Sequence, residues 1–177
     1  NNYQDHVECK PKENEKVVLK LSDGEIEIPG ISMAAGEEAI LPFNMDIEGY
    51  RLVYAKAQLL SVIREGKRPV YFFFMPEGMV PEYVWDGTGI ESIGGNTVSE
   101  SQISIRPDAN KMSSFVIKGE KGEVEIVTLT REQSLFFYEI DIKGQKTAVL
   151  CNSPLTYDGS KIRVENRSQN DEKVKLL

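Results

Sequence analysis

The sequence has little of the chemistry on which most hydrolases and metalloproteins depend. Its single histidine, His6, lies in a polar stretch near the start of the chain. A nucleophilic triad or a Cys–His pair needs an imidazole that the fold holds in place, and a polar chain end does not hold one well. His6 and Cys9 are also not followed by a second ligand pair at zinc spacing. The sequence therefore predicts no metal site and no cofactor.

Long apolar runs and basic patches are absent as well. No stretch of 18 apolar residues exists, so the sequence predicts no membrane-spanning helix. The formal net charge is −7, from 28 acidic and 21 basic residues. A field of this sign repels nucleic acid and anionic membranes, so neither is expected as a partner. The loop glycines between Gly87 and Gly95 are not followed by a helix with a suitably placed lysine, which argues against a phosphate-binding loop.

Cysteine occurs only twice, as Cys9 and Cys151. Two thiols so far apart in sequence permit one disulfide but do not predict it. The interpretation we favour is two unpaired cysteines, one of them buried in a strand over Ala148–Cys151. A disulfide in an exported protein is the alternative.

The length of 177 residues fits one domain of generous size. A chain of this size buries roughly 70% of its unfolded surface and needs no disulfide to fold. Residues 1–14 are interpreted as a polar leader or linker, 15–165 as a β-sandwich domain and 166–177 as a C-terminal segment. Because the chain finishes on alternating apolar residues, we expect a strand there that leads into a further domain, and a chain that is a piece of a longer protein.

Alternation of apolar and polar residues with a period of two recurs along most of the chain. It is clean over Leu41–Ile47, and Asp23-Gly24 lies between two alternating runs, as in a β-hairpin. Tyr50–Arg64 contains helix-forming residues but keeps the two-residue period, so we predict strand. We therefore predict an all-β fold, a β-sandwich of jelly-roll or Greek-key type with about a dozen short antiparallel strands and at most one short helix. Later strands are expected at Ile103–Ile105, Phe115–Ile117, Val124–Leu129, Ala148–Cys151, Lys161–Val164 and Lys173–Leu176.

The aromatic run Tyr71–Phe74 is the most informative segment for the core. Prolines and a glycine bound it, which makes it too short for an ordinary helix. A short bulky run between chain breakers predicts a strand that is buried on both faces. The turn over residues 76–81 then leads into a second predicted strand, Tyr83–Trp85.

Two segments are predicted to be something other than strand. Thr130 followed three residues later by Gln133 is typical of a helix N-terminus, and one or two helical turns are expected over Ser134–Ile140. The glycine-rich segment Gly87–Asn96 is predicted to be the one long loop.

Four residues near the second strand are candidate glycan contacts. Tyr83 and Trp85, the only tryptophan, share one strand face, and aromatics on an exposed face can stack on sugar rings. The alternative, which we favour, is that this face packs inward or against a neighbouring domain. Glu82 and Asp86 could line a cleft beside Trp85, where burial would raise one carboxyl pKa. Since 28 acidic residues make such neighbours common, we predict no catalytic residue and keep Glu82 and Asp86 as possible glycan contacts.

Three segments, taken in order, resemble a known family. They are Leu41–Gln58, Tyr71–Asp86 and Val127–Leu135. They are similar to the all-β region that follows the catalytic barrel in bacterial β-galactosidases of glycoside hydrolase family 35, particularly those of gut Bacteroides-type bacteria. Within Tyr54-Ala-Lys-Ala-Gln58 the chain has Lys56 where the family pattern has threonine. The resemblance spans roughly residues 30–165 and is a pattern of strands, not a catalytic signature.

The resemblance implies an auxiliary role. The family's catalytic glutamates lie on a barrel larger than this whole chain, and no βα alternation occurs here, so no glutamate inherits those roles. The expected protein is a non-catalytic module of an exported, periplasmic or cell-surface β-galactosidase. Its expected partners are the catalytic barrel of the same parent chain and a galactose-containing glycan. A stand-alone carbohydrate-binding module that stacks sugars on Tyr83 and Trp85, and a surface or adhesion-type domain that binds protein, are the alternatives.

Overall fold

The structure is a computed structural model that describes residues 9–22, 24–165 and 174–177. Predictions made for His6, for Asp23 and for residues 166–173 lie outside the described residues. The described chain contains 17 strands and one short helix. The elements are β1 Lys12–Leu21, β2 Gly24–Met33, β3 Phe43–Ile47, β4 Tyr50–Ala55, β5 Gln58–Ile63, β6 Val70–Phe74, β7 Tyr83–Asp86, β8 Ile90–Ile93, β9 Asn96–Thr97, β10 Gln102–Ile105, β11 Ser113–Gly119, β12 Gly122–Leu129, α1 Arg131–Ser134, β13 Phe137–Ile142, β14 Gln145–Cys151, β15 Leu155–Tyr157, β16 Ile162–Val164 and β17 Val174–Leu176.

The strands form two large sheets and three smaller units. Sheet I has the order β10-β7-β4-β3 and sheet II the order β5-β6-β12-β11-β8-β9. Sheet III is β13-β14-β17, and the pairs β1–β2 and β15–β16 are separate hairpins. The first hairpin, β1–β2, packs on the outer face of sheet I, and sheet III packs on the outer face of sheet II. The fold is an all-β sandwich, as predicted.

The central core lies between sheets I and II. Trp85 and Leu52 from sheet I meet Phe73 and Ile117 from sheet II, and all four are fully buried. The aromatic strand β6 serves two cores, because Tyr71 and Phe73 point into this one while Phe72 and Phe74 pack towards sheet III. The prediction that this strand is buried on both faces is confirmed.

Strand number and direction differ in part from the prediction. The described chain has 17 strands rather than about a dozen, because several predicted loops and segment ends also pair. One pair is parallel: β6 runs alongside β12, with Tyr71 opposite Ile126 and Phe74 opposite Leu129. These two strands are separated by a long stretch of chain that builds β7 to β11, so the chain crosses over before it returns.

The predicted helical turns over Ser134–Ile140 are wrong beyond their first residue. Thr130 caps α1 as predicted, with its hydroxyl accepting from the Gln133 N–H at 3.1 Å and the Gln133 side chain accepting from the Thr130 N–H. The helix nevertheless ends at Ser134, and Phe137–Ile142 forms strand β13. The Phe137 ring lies 5.1 Å from that of Phe72. Packing against sheet II and pairing with β14 therefore override the local helix signal.

The prediction of a long loop over Gly87–Asn96 is also wrong. Residues Ile90–Ile93 form β8, which pairs with β11 inside sheet II, and Ile93 is 1% exposed. The glycines here permit close backbone approach. A Cβ on Gly119 would lie 2.1 Å from the Gly89 carbonyl oxygen, and one on Gly87 would lie 2.1 Å from the Glu100 carbonyl oxygen.

Both ends of the predicted domain extend further than expected. Strand β1 begins at Lys12, inside the segment 1–14 predicted to be a leader. Strand β17 pairs with β14, with Val149 opposite Leu176, so the C-terminal strand belongs to sheet III. Cys151 is a buried free thiol, as favoured from the sequence. The one helix of the described residues is too short and too polar to cross a membrane.

Candidate functional site

The prediction that Tyr83 and Trp85 could stack on sugar rings from an exposed strand face is wrong. Tyr83 and Trp85 are both 0% exposed and point between the two sheets. The Tyr83 ring makes edge contacts with Phe73 and Phe115, with centroid distances of 5.2 and 5.5 Å. The alternative interpretation, an inward-facing pair, is confirmed, and neither ring can stack on a sugar without unfolding the core.

Glu82 and Asp86 lie on the opposite side of the same chain segment. Alternation along β7 puts Tyr83 and Trp85 in the core and turns Val84 towards the β1–β2 hairpin. Asp86 is partly exposed, accepts from the Thr88 backbone N–H at 3.0 Å and lies 3.6 Å from Arg51. Hydrogen bonds from Thr88 and the nearby charge of Arg51 lower the pKa of Asp86.

Glu82 is the centre of a buried polar cluster, and its side chain is only 4% exposed. One carboxylate oxygen accepts from Lys56 Nζ at 2.8 Å and from the Tyr54 hydroxyl at 3.3 Å. The other accepts from the Ser104 hydroxyl at 2.9 Å and from Arg106 Nε at 2.8 Å and Nη2 at 2.7 Å. We call these five residues the Glu82 cluster.

The cluster keeps Glu82 ionised. Burial by itself would raise the pKa of the Glu82 carboxyl, but hydrogen bonds from Lys56, Arg106 and Ser104 outweigh it and lower the pKa to about 2. For Tyr54, burial and the adjacent Glu82 charge both raise the pKa, to about 12. The hydroxyl of Tyr54 therefore stays protonated and donates to the carboxylate.

Lys56 joins the layers of the fold. It is 7% exposed, and its Nζ donates to the Pro29 carbonyl oxygen of β2 at 3.1 Å as well as to Glu82. Its backbone N–H donates to the Glu82 carbonyl oxygen at 2.8 Å. A buried lysine needs partners of this kind, because an unpaired ammonium inside a protein is strongly unfavourable.

An open cleft of about 520 Å³ lies beside the cluster. The hairpin packs on β4 and β7, where Ile26 and Ile28 share a buried cluster with Tyr54 and Val84. On the edge strand β10, Gln102 and Ser104 stay exposed. The cleft is bounded by β2 on one side and by residues of β4, β7 and β10 on the other. Its polar lining includes Glu82, Glu100, Gln102, Ser104 and Arg106.

The sequence did not reveal most of this site. Glu82 was singled out, whereas Tyr54, Lys56, Ser104 and Arg106 were not. Lys56 carried no signal of burial, because in a strand pattern it lies on the face opposite Ala55 and Ala57 and is expected to be exposed. Its partner lies 26 positions later, and only the pairing of β4 with β7 brings the two together.

The chemistry of the site argues against general acid catalysis. The pKa values of Glu82 and Asp86 are both lowered, so neither carboxyl holds a proton near neutral pH to donate to a leaving group. Among the described residues no group of three or more His, Cys, Asp or Glu side chains converges as a metal site would require. What the cleft offers is a set of hydrogen-bonding groups, of which Tyr54, Ser104 and Arg106 are held by Glu82.

No protein-family model matches this chain, and no curated protein matches it.

Proposed function

We propose that this chain is a non-catalytic β-sandwich module of an exported β-galactosidase-like glycoside hydrolase, in which it packs beside the catalytic barrel of the same parent chain. The observation that carries the proposal is the position of the three segments that resemble family 35 enzymes. Leu41–Gln58 builds β3 and β4, Tyr71–Asp86 builds β6 and β7, and Val127–Leu135 ends β12 and contains α1. Strands β4 and β7 pair in sheet I, and β6 and β12 pair in sheet II. The similar segments therefore form one contiguous unit at the centre of the fold.

The state of the carboxyl groups supports the non-catalytic part of the proposal. Glycoside hydrolysis with two carboxyl groups needs one that is protonated before the bond breaks. Glu82 has all of its charge compensated by Lys56 and Arg106, and its pKa of about 2 removes it from that role.

A hydrolysis assay tests the absence of catalysis. The purified chain is incubated with 4-nitrophenyl β-D-galactoside between pH 5 and 8, beside an equal amount of Glu82→Gln. We expect no release of nitrophenol above the blank for either protein. Hydrolysis by the chain that is lost in Glu82→Gln would contradict the proposal.

The link to a galactosidase is tested separately, at the level of the gene and the parent enzyme. We expect the same reading frame to encode a (βα)8 barrel upstream of residue 1. We also expect the parent enzyme to lose thermal stability when residues 12–165 are deleted, because the barrel surface they cover becomes exposed. A reading frame that encodes no barrel would refute the link and leave the fold and the cleft as described.

A further inference from the structure

We propose that the cleft between β2 and the uncovered face of β10 binds a neutral, polyhydroxylated ligand, a short saccharide. This goes beyond the non-catalytic role proposed above and does not rest on the resemblance to galactosidases. It rests on the shape of the cleft, the row of polar side chains along β10 and the charge around them.

The shape of the cleft fits a small ligand. Its volume of about 520 Å³ is in the range of ligand-binding clefts, roughly 300–1,000 Å³. The apolar part of the lining is Ile26, Val53 and Val84, of which Val53 is half-buried and the other two are buried; an apolar patch of this kind suits the C–H face of a sugar ring. One side of the cleft belongs to the β1–β2 hairpin and the other side to sheet I. The cleft therefore lies where the hairpin stops covering the sheet.

The row along β10 presents alternating hydrogen-bonding groups of different kinds. Glu100, Gln102, Ser104 and Arg106 all line the cleft. Gln102 and Ser104 lie two residues apart on β10 and so share one face of the strand, and Glu100 and Arg106 flank the strand at its two ends. They supply a carboxylate, an amide, a hydroxyl and a guanidinium. A sugar hydroxyl both donates and accepts, so a mixed row of this kind complements a series of hydroxyl groups.

Arg106 is fixed in place although its side chain is 70% exposed. Two of its nitrogens, Nε and Nη2, contact the same oxygen of Glu82 at 2.8 and 2.7 Å. A guanidinium has five N–H donors, which is more than this contact uses. The buried carboxylate thus holds a donor group at the cleft before any ligand arrives, and the entropy cost of binding is smaller.

The charge of the cleft selects against anions. Glu25, Glu27, Glu82 and Glu100 line it, and Arg106 is the only cationic residue that lines this cleft among the described residues. Lys56, beneath the surface, is already bonded to Glu82 and Pro29. Glu27 and Glu25 lie 3.3 and 4.0 Å from Lys16 and Lys20, and Glu82 is paired with Lys56 and Arg106. A phosphate or a uronic acid would therefore meet the Glu100 carboxylate, while the Arg106 guanidinium is already paired. A neutral ligand meets no such repulsion.

The test is a titration with two matched disaccharides. Galactobiose and digalacturonate share ring geometry and differ in their carboxylates, and cellobiose is added as a neutral non-galactoside. Binding is measured by calorimetry, and the site is located by backbone amide shifts in two-dimensional NMR. We expect saturable binding of a neutral disaccharide, shifts concentrated at residues 25–29 and 102–106, and at least tenfold weaker binding of digalacturonate than of galactobiose.

Two glutamine variants locate the interaction. Gln102→Ala removes an exposed amide from the cleft and should weaken binding about fivefold, the effect of losing one neutral hydrogen bond. Gln145→Ala, an exposed residue of β14 outside this cleft, is the control and should leave affinity unchanged.

Three outcomes would overturn the inference: no saturable binding of any neutral disaccharide, equal affinity in Gln102→Ala and the wild type, or tighter binding of digalacturonate. Binding of cellobiose but not of galactobiose would support the saccharide cleft and count against the proposed galactosidase link.

Discussion

Replacing Glu82 by glutamine is the sharpest test of the Glu82 cluster. Glutamine keeps the shape of the side chain and removes its charge, so the Lys56 ammonium is left buried with neutral acceptors only, the Pro29 carbonyl oxygen and the new amide oxygen. Arg106 loses its ion pair too, but its exposed side chain is solvated by water at little cost. The destabilisation should therefore come mainly from Lys56.

Two independent routes give the size of the effect. Removing one partner of a buried ion pair typically costs about 3–5 kcal/mol, and the remaining Pro29 contact places this case at the lower end. The pKa of Glu82 falls from 4.5 in the unfolded chain to about 2 in the fold, and at about 1.4 kcal/mol per pKa unit this shift also corresponds to about 3 kcal/mol. Both routes predict a loss of about 3 kcal/mol for Glu82→Gln at pH 7.

The sign of the pH dependence follows from the lowered pKa. A carboxyl whose pKa is depressed by folding stabilises the fold fully above its unfolded value of 4.5 and loses that contribution as the pH falls towards 2. Protonated glutamate and glutamine are close in shape and charge. The difference in unfolding free energy between wild type and Glu82→Gln should therefore shrink from about 3 kcal/mol at pH 7 to under about 1 kcal/mol near pH 2.

Urea denaturation at pH 7, 4 and 2.5 measures this difference. The control is Glu91→Gln, at an exposed position on β8, which should change the unfolding free energy by less than about 0.5 kcal/mol. A cycle with Lys56→Met isolates the pair, and the double variant should lose at least about 1 kcal/mol less than the two single losses added together. If the difference in unfolding free energy between wild type and Glu82→Gln were the same at pH 7 and 2.5, the ionised Glu82 carboxylate would not be the source of the stabilisation.

Three further outcomes are expected. Gly119→Ala should lower the unfolding free energy by more than about 2 kcal/mol, because its Cβ would lie 2.1 Å from the Gly89 carbonyl oxygen, and an unchanged urea midpoint would contradict that close approach. Tyr83→Phe should cost about 1–3 kcal/mol by urea titration, since it removes the 2.8 Å hydrogen bond to the buried Thr128 hydroxyl; a loss below about 0.5 kcal/mol would show that Thr128 finds another partner. Trp85 fluorescence should be blue-shifted and weakly quenched by acrylamide in the native state, and saccharide should leave it unchanged, because the ring is 0% exposed; strong native-state quenching would place the ring at the surface.

The sequence was sufficient for features that depend on local pattern. The prolines and the glycine around Tyr71–Phe74 indicated a short strand. Because bulky side chains point to both faces of this strand, two cores are needed to bury them, and the structure has both. The reciprocal bonds of Thr130 and Gln133 follow from their spacing alone. In each case the determining residues lie within a few positions of one another.

Features that depend on distant partners were not accessible from the pattern. Alternation placed Tyr83 and Trp85 on one face but did not say which face meets sheet II, and the choice was decided by β11, whose Phe115 contacts Tyr83. The glycines within residues 87–96 led to the prediction of a loop. From the sequence alone, a glycine that lets the backbone approach another strand cannot be distinguished from a glycine in a turn. The parallel pairing of β6 with β12 likewise has no local signature.

The Glu82 cluster and the cleft have one structural origin, and this bears on why a buried charge is present at all. Replacing a buried ion pair by apolar residues of similar volume is often neutral or stabilising, so stability alone is a weak explanation for Lys56 and Glu82. What the pair adds is a fixed arrangement of neighbouring groups. Lys56 bonds both to Pro29 of the hairpin and to Glu82 just before β7, and Glu82 holds Arg106 just after β10. An apolar pair would remove the Lys56–Pro29 hydrogen bond and would leave the Arg106 guanidinium without its carboxylate partner. The same carboxylate that is unsuited to proton transfer is therefore well suited to holding the Arg106 donor in a fixed orientation at the cleft.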